Sequence, residues 1–205
     1  MDVNHNKIYT IGYSPHVLES FLRVIKKHNI SAVADVRSSP YSQFKPEFNK
    51  DSLAEFLKKN GIAYVFMGDL CGARVEDQSC YVNGKVDYAL VAESPKFKEG
   101  LERIISGMEK YRIALMCAEK DPITCHRTIL VCRNLASRGI NIKHLLSDGK
   151  TEDHKESEQR LLKLFKLNHP DMFRSEQQRL NDAYKLQGEK IAYEAAEPKT
   201  EYEAR

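Results

Sequence analysis

Between Cys117 and Arg127 the chain gathers six side chains able to ionise, donate or attack within eleven positions: Cys117, Glu119, Asp121, Cys125, His126 and Arg127. Buried without partners, such groups would be costly, so the segment must either line a ligand cleft or form its own hydrogen-bonded network. The run from Arg112 to Met116 reads as a short buried strand feeding the segment. A helix with apolar periodicity is expected from Thr124 or Cys125 to Arg138, closed by Gly139.

Each residue type suggests a chemistry. Cys125 falls at the expected helix start, where free backbone N–H groups and the cations of His126 and Arg127 stabilise a thiolate; it is the nucleophile candidate, and the same place suits a packing or capping residue. Cys117, at a strand end, reads as a small core residue or as part of a substrate-binding rim. His126 titrates near neutrality and is a candidate proton carrier. Glu119 and Asp35 are the carboxylates expected nearest the cleft, either as general base or as bidentate partners of Arg37 or Arg127. Arg37 and Arg127, with the helix starts after Gly12 and Thr124, would make an anion cradle.

Two sharper frames are tested by spacing. A C-x5-R phosphate loop fails, because Ile123 stands six positions after Cys117 and Val131 six after Cys125. Zinc held by Cys117, Cys125 and His126 would need ligands eight and nine apart plus a fourth from elsewhere, which is no recognised spacing. The sequence therefore assigns no metal and requires no cofactor, with zinc the minority reading.

The elements that must position these groups follow from periodicity. Lys7 to Ile11 reads as a strand, Gly12-Tyr13-Ser14-Pro15 as a turn, and Pro15 to His28 as a helix capped by Ser14 with Val17, Leu18, Phe21, Leu22, Val24 and Ile25 on its apolar face. Ile30 to Val36 and Ile62 to Met67 read as further strands, separated by a helix carrying Leu53, Phe56 and Leu57. Asn83-Gly84 signals a small inserted β-hairpin, Ser94-Pro95 opens a helix to Lys110, and Ile140 to Leu146 is a fifth strand. Strands alternating with helices over short connections predict an α/β fold: an open, mostly parallel sheet of about five strands with helices on both faces. Ligands of such sheets bind at the carboxyl ends of the strands, which is where Gly12 and Ser14, Asp35 and Arg37, and the Cys117 to Arg127 segment are expected to converge. Residues 1–147 form this domain, and 148–205 a charged helical C-terminal extension that frays toward its end.

Composition bounds the function. The 41% hydrophobic content supports one sizeable core. Residues 1–147 hold 21 Lys and Arg against 16 Asp and Glu, a surplus that suits an anionic ligand but is short of a dedicated nucleic-acid stripe. The five cysteines lack any C-x-x-C pair, so reduced thiols are expected. With no apolar signal-peptide core and no long apolar run, a cytoplasmic protein without a membrane partner is expected. The reading that best fits is an enzyme, a hydrolase or transferase, acting on a small anionic, phosphorylated or nucleotide-like substrate. The alternative is an accessory module that binds or helps repair nucleic acid, stacking bases on Tyr41, Phe44 and Phe48.

Three motifs occur in order: Thr10-Ile11-Gly12-x-Ser14, Asp35-Val36-Arg37-x-x-Pro40, and Cys117-Ala118-Glu119-x-x-Pro122-x-x-Cys125-His126-Arg127. On these the chain resembles, over about residues 7 to 147, the family catalogued as domain of unknown function 488. The resemblance implies an α/β domain with its signature residues gathered at one edge of a sheet, and it brings no established reaction. Many members carry a histidine where this chain has Tyr13.

Overall fold

A computed structural model describes residues 6–170 and 172–195. The chain runs β1 (Lys7–Gly12), α1 (Leu18–Lys27), β2 (Ala32–Asp35), α2 (Lys50–Lys59), β3 (Ala63–Phe66) and a short α3 (Gly68–Cys71). A hairpin of β4 (Tyr81–Val82) and β5 (Lys85–Val86) follows, then α4 (Tyr88–Glu93), α5 (Pro95–Met108) and β6 (Ile113–Cys117). A π-helical stretch (Arg127–Cys132) leads into α6 (Arg133–Ala136), β7 (Asn141–Leu145), β8 (Thr151–Asp153), α7 (His154–Leu164) and α8 (Glu176–Ile191).

The expected α/β architecture is present: a six-stranded sheet in the order β3-β2-β6-β1-β7-β8, parallel except for β8, which pairs antiparallel with β7. The sixth strand is the addition to the five expected. β6 (Ile-Ala-Leu-Met-Cys) is buried at every residue, as a central parallel strand covered on both faces must be. Alternation along it splits the core. Leu115 and Cys117 join Ile8, Phe97, Leu101 and Leu130 under α5 and the π-helix, whereas Ala114 and Met116 join Ile11, Phe21, Ile25, Leu53 and Leu57 under α1 and α2. Helices thus cover both faces.

Local signals explain most boundaries. Asn83 and Gly84 take positive φ (51° and 75°), the pair of left-handed residues a type I′ hairpin turn requires. Ser94 Oγ accepts from the Phe97 N–H at 3.3 Å and caps α5. The start of α1 differs from expectation, because Ser14 is exposed and caps nothing. The Tyr13 N–H donates to the Cys117 carbonyl at 2.9 Å and the Ser14 N–H to the Ala118 carbonyl at 3.0 Å, so the chain keeps running alongside β6 past the end of β1. The helix opens three residues later, with Ser20 Oγ bonded to both backbone groups of Val17. The single helix expected from Thr124 or Cys125 is likewise a composite: one turn of 3-10 helix (Pro122–Thr124), an extended Cys125, then the π-helix and α6. Beyond residue 147 the chain adds β8 to the sheet edge and packs Leu161, Leu162, Ala183 and Tyr184 against Ile129 of the π-helix. The frayed end expected toward Arg205 lies outside the described residues.

Candidate functional site

β2, β6 and β1 are neighbours in the sheet, with Asp35 opposite Met116 and Gly12 opposite Cys117, so their carboxyl ends meet at one rim. The strands alone would bring the backbones together; two contacts join the side chains. His126 Nε2 lies 2.9 Å from the Val36 carbonyl, and Arg127 Nη1 donates to the Glu119 carbonyl at 2.7 Å. That carbonyl also presses on Gly12, where an added Cβ would stand 1.9 Å from the oxygen. Gly12 is therefore the residue that lets the loop after β6 fold back over β1. Gly12→Ala is expected to cost about 1–3 kcal/mol by pushing the Glu119 backbone outward, read as a lowered urea midpoint.

Asp35 and Arg37 form a buried fork-to-fork pair. Arg37 Nε donates to Oδ1 at 2.8 Å and Nη2 to Oδ2 at 2.6 Å, while the Arg37 N–H and the Tyr64 hydroxyl supply two more bonds to the same carboxylate at 3.1 and 2.7 Å. Arg37 Nη2 also donates to the Phe48 carbonyl at 2.9 Å, and its guanidinium lies 4.9 Å from the centre of the Tyr13 ring. Burial and the charge of Asp35 drive the Tyr64 phenol well above its ordinary range. Asp35 is thus committed to holding Arg37, and the two arginines expected to grip an anion turn inward. Each keeps one donor without a hydrogen-bond partner among the described residues, Nη1 of Arg37 and Nε of Arg127.

The sulfur centre lies beside this pair. Cys125 Sγ is 2.8 Å from Glu119 Oε2, accepts from the Arg127 N–H at 3.4 Å, and stands 3.9 Å from His126 Nδ1; Cys117 Sγ is 3.7 Å from the same nitrogen. Two bare anions would not approach to 2.8 Å, so one proton sits between the Cys125 sulfur and the Glu119 carboxylate. Burial alone would push the Cys125 thiol up, but hydrogen bonding from Cys117 and the charges of Arg127 and His126 outweigh it and hold the group well below the ordinary thiol range. Cys117 is driven well up by its hydrogen bond to Cys125 and by burial, and Glu119 is raised by burial and by the charge on Cys125. Burial would lower His126, yet contact with Cys125 and the charge of Glu119 raise it.

Access is uneven. Cys117, Cys125, His126 and Arg127 are buried, whereas Glu119 is exposed and forms the mouth of the site. Ser14 also lies at this rim, in solvent. Among the described residues one trio is placed to hold a metal ion: the donor atoms of Cys117, Cys125 and His126 all lie within 4.8 Å of one another. All five cysteines are free thiols. Of the three aromatics expected to stack on bases, Phe44 and Tyr41 stand in solvent, but Phe48 is fully buried, stacked on Tyr13 with ring centres 4.7 Å apart.

The helices beyond residue 147 brace the same loop. Arg160 of α7 binds Asp121 and both oxygens of Glu152, the latter at 2.9 Å each, and Gln187 of α8 donates to the Ile123 carbonyl at 2.8 Å. Sequence reasoning missed these braces and also missed Tyr88. The Tyr88 hydroxyl is buried without a partner among the described residues, and burial together with the charges on Cys125, Cys117 and Glu119 drives the phenol well up. No motif surrounds Tyr88; the only signal is its place just after the hairpin, behind the Asp87 cap of α4.

No helix among the described residues is long and apolar enough to cross a membrane. Among curated proteins and among solved structures, none matches the chain. The family model described as Domain of unknown function DUF488 matches residues 17–133, which takes in the Asp35 and Cys117 motifs and leaves the Gly12 motif just ahead of it. With more than half of its 205 residues matched, and with both longer motifs inside the match, the chain belongs to the DUF488 family.

Proposed function

We propose that the chain is an enzyme, a hydrolase or transferase, that acts on a small anionic, phosphorylated or nucleotide-like substrate at the carboxyl edge of the sheet. The observation that carries this reading is the 2.8 Å contact between Cys125 Sγ and Glu119 Oε2, a proton shared between a buried sulfur and a carboxylate that opens to solvent. A buried thiol with only packing to do needs no carboxylate at that distance. Glu119, not Asp35, is the carboxylate placed to move a proton, since Asp35 already accepts four hydrogen bonds. His126 is held in place by the Val36 carbonyl, and the Arg127 N–H steadies charge on the Cys125 sulfur. The unspent donors of Arg37 and Arg127 and the basic surplus of residues 1–147 support an anionic substrate.

The test is consumption of a panel of nucleotides and sugar phosphates, followed by mass spectrometry. Glu119→Gln and Cys125→Ser are each expected to lower turnover by about 100-fold or more while leaving the thermal midpoint close to that of the unmodified chain. Equal turnover in both variants, or none by the unmodified chain on any member of the panel, would reject the reading.

A further inference from the structure

We propose that Cys117, Cys125 and His126 bind one zinc ion through Sγ, Sγ and Nδ1, leaving a fourth position that opens toward Glu119. The spacing along the chain gave no support for such a site, but the spacing in space does. Ligands of one tetrahedral zinc, with sulfur at about 2.3 Å and nitrogen at about 2.05 Å, stand about 3.6 Å apart. The two observed sulfur-to-nitrogen separations are 3.7 and 3.9 Å, within a few tenths of an ångström of that value, and the two sulfurs lie within 4.8 Å of each other, so closing on an ion asks for an adjustment of about 1 Å at most.

The imidazole is already turned for the task. A carbonyl can only accept, so the 2.9 Å contact with Val36 keeps a proton on Nε2, and Nδ1, which faces both sulfurs, is the nitrogen left to ligate once any second ring proton is displaced by the ion. A histidine ligand whose other nitrogen donates to a backbone carbonyl is the usual second-layer arrangement of zinc sites. The Arg127 N–H directed at the Cys125 sulfur is a further support of that kind, since it offsets thiolate charge without competing for the ion. Cys117 is held at the end of the central strand, its carbonyl bonded to the Tyr13 N–H at 2.9 Å. Two ligands at the start of a helix and one on a core strand make a rigid cradle.

Glu119 is placed beside the ion and not as its ligand. Two ligands of one tetrahedral zinc, one sulfur and one oxygen, would stand about 3.5 Å apart, whereas Glu119 Oε2 lies 2.8 Å from Cys125 Sγ. The balance follows from the site: the Cys117 proton and the proton shared by Cys125 and Glu119 are released, with a third where His126 carries its second ring proton, as one dication enters, and Glu119 then draws back from the Cys125 sulfur. The role of Glu119 rests on the enzyme reading above; the three-ligand site does not.

The experiment uses the full chain, cobalt(II) as a spectroscopic probe and zinc(II) as competitor. One cobalt per chain is expected to give near-ultraviolet thiolate-to-metal absorption and the intense visible bands of tetrahedral coordination, both abolished by one equivalent of zinc. Cys117→Ser and Cys125→Ser should each lose these bands, Cys80→Ala and Glu119→Gln should keep them, and zinc should slow alkylation of the buried Cys117 and Cys125 relative to the metal-free chain, as read by peptide mass spectrometry. The protection measurement keeps the test open should a serine variant fail to fold. Absence of the bands in the unmodified chain, their persistence in both serine variants, or alkylation of Cys117 and Cys125 no slower with zinc than without it would overturn the proposal. Zinc bound at one per chain without turnover upholds this site and rejects the enzyme reading; turnover by a chain that binds neither metal does the reverse.

Discussion

Asp35→Asn is expected to destabilise the fold by about 3–5 kcal/mol, the largest single loss that a motif residue should produce. Asp35 is completely buried and Arg37 nearly so, and among the described residues the carboxylate is the only anion the guanidinium touches. Removing its charge strands a buried cation and sets an amide N–H₂ against guanidinium or tyrosine donors. The damage would not stay local, because Arg37 also ties the Phe48 carbonyl and lies over Tyr13, which stacks on Phe48. The measurement is the urea midpoint with its slope, so that stability can be separated from a change in compactness. The combined change Asp35→Leu with Arg37→Met is expected to recover part of the loss, since it removes both charges and leaves only Tyr64 and the Phe48 carbonyl short of a partner. A single variant within about 1 kcal/mol of the unmodified chain would mean that water reaches the pair and that it is worth no more than a surface ion pair.

The same pair shows what could be read from the sequence and what could not. That Asp35 and Arg37 would stand at the edge where Cys117 to Arg127 emerges followed from strand order and the rule for parallel sheets. Which way Arg37 points did not, because an arginine two residues after an aspartate can reach back to it or out to a ligand with equal ease. β6 and the Asn83-Gly84 turn were legible because apolar continuity and paired left-handed residues are each set by local sequence. The start of α1 was not, since Ser14 is drawn off by hydrogen bonds to a strand more than a hundred residues away. The π-helix shows the same apolar face as an α-helix, and β8, three polar residues at a sheet edge, has no apolar alternation to detect. In the site, Tyr64 and Tyr88 carry no motif, and the sulfur-to-nitrogen distances depend on where the loop folds back over Gly12.

Lowering the pH from 7 to 4.5 should remove about 2 kcal/mol of stability through His154. Its side chain lies in a chain of hydrogen bonds whose proton positions can be deduced. The Tyr184 hydroxyl donates to Glu158 at 3.0 Å, so it must accept from His154 Nε2 at 3.1 Å. That leaves His154 Nδ1 as acceptor from His144 Nε2 at 3.1 Å, and His144 Nδ1 as acceptor from Thr10 Oγ1 at 2.8 Å. Both imidazoles are neutral in this arrangement, and a proton added to His154 Nδ1 would set two N–H groups against each other. Burial accordingly lowers His154 from its ordinary 6.5 to about 4, and burial with the neighbouring His154, Arg127 and Arg160 lowers His144 well below the usual range. The sign follows from which state takes up protons: below 6.5 the unfolded chain protonates first, so the contribution is complete above 6.5 and is lost as pH falls toward 4. Among the described residues Glu158, 3.8 Å from His154 Nε2, is the carboxylate close enough to temper the loss. In His154→Gln the dependence of the urea midpoint on pH between 6.5 and 4.5 should flatten, whatever the variant's absolute stability. An unchanged slope would show that His154 is already charged in the folded state, with Glu158 as its counterion.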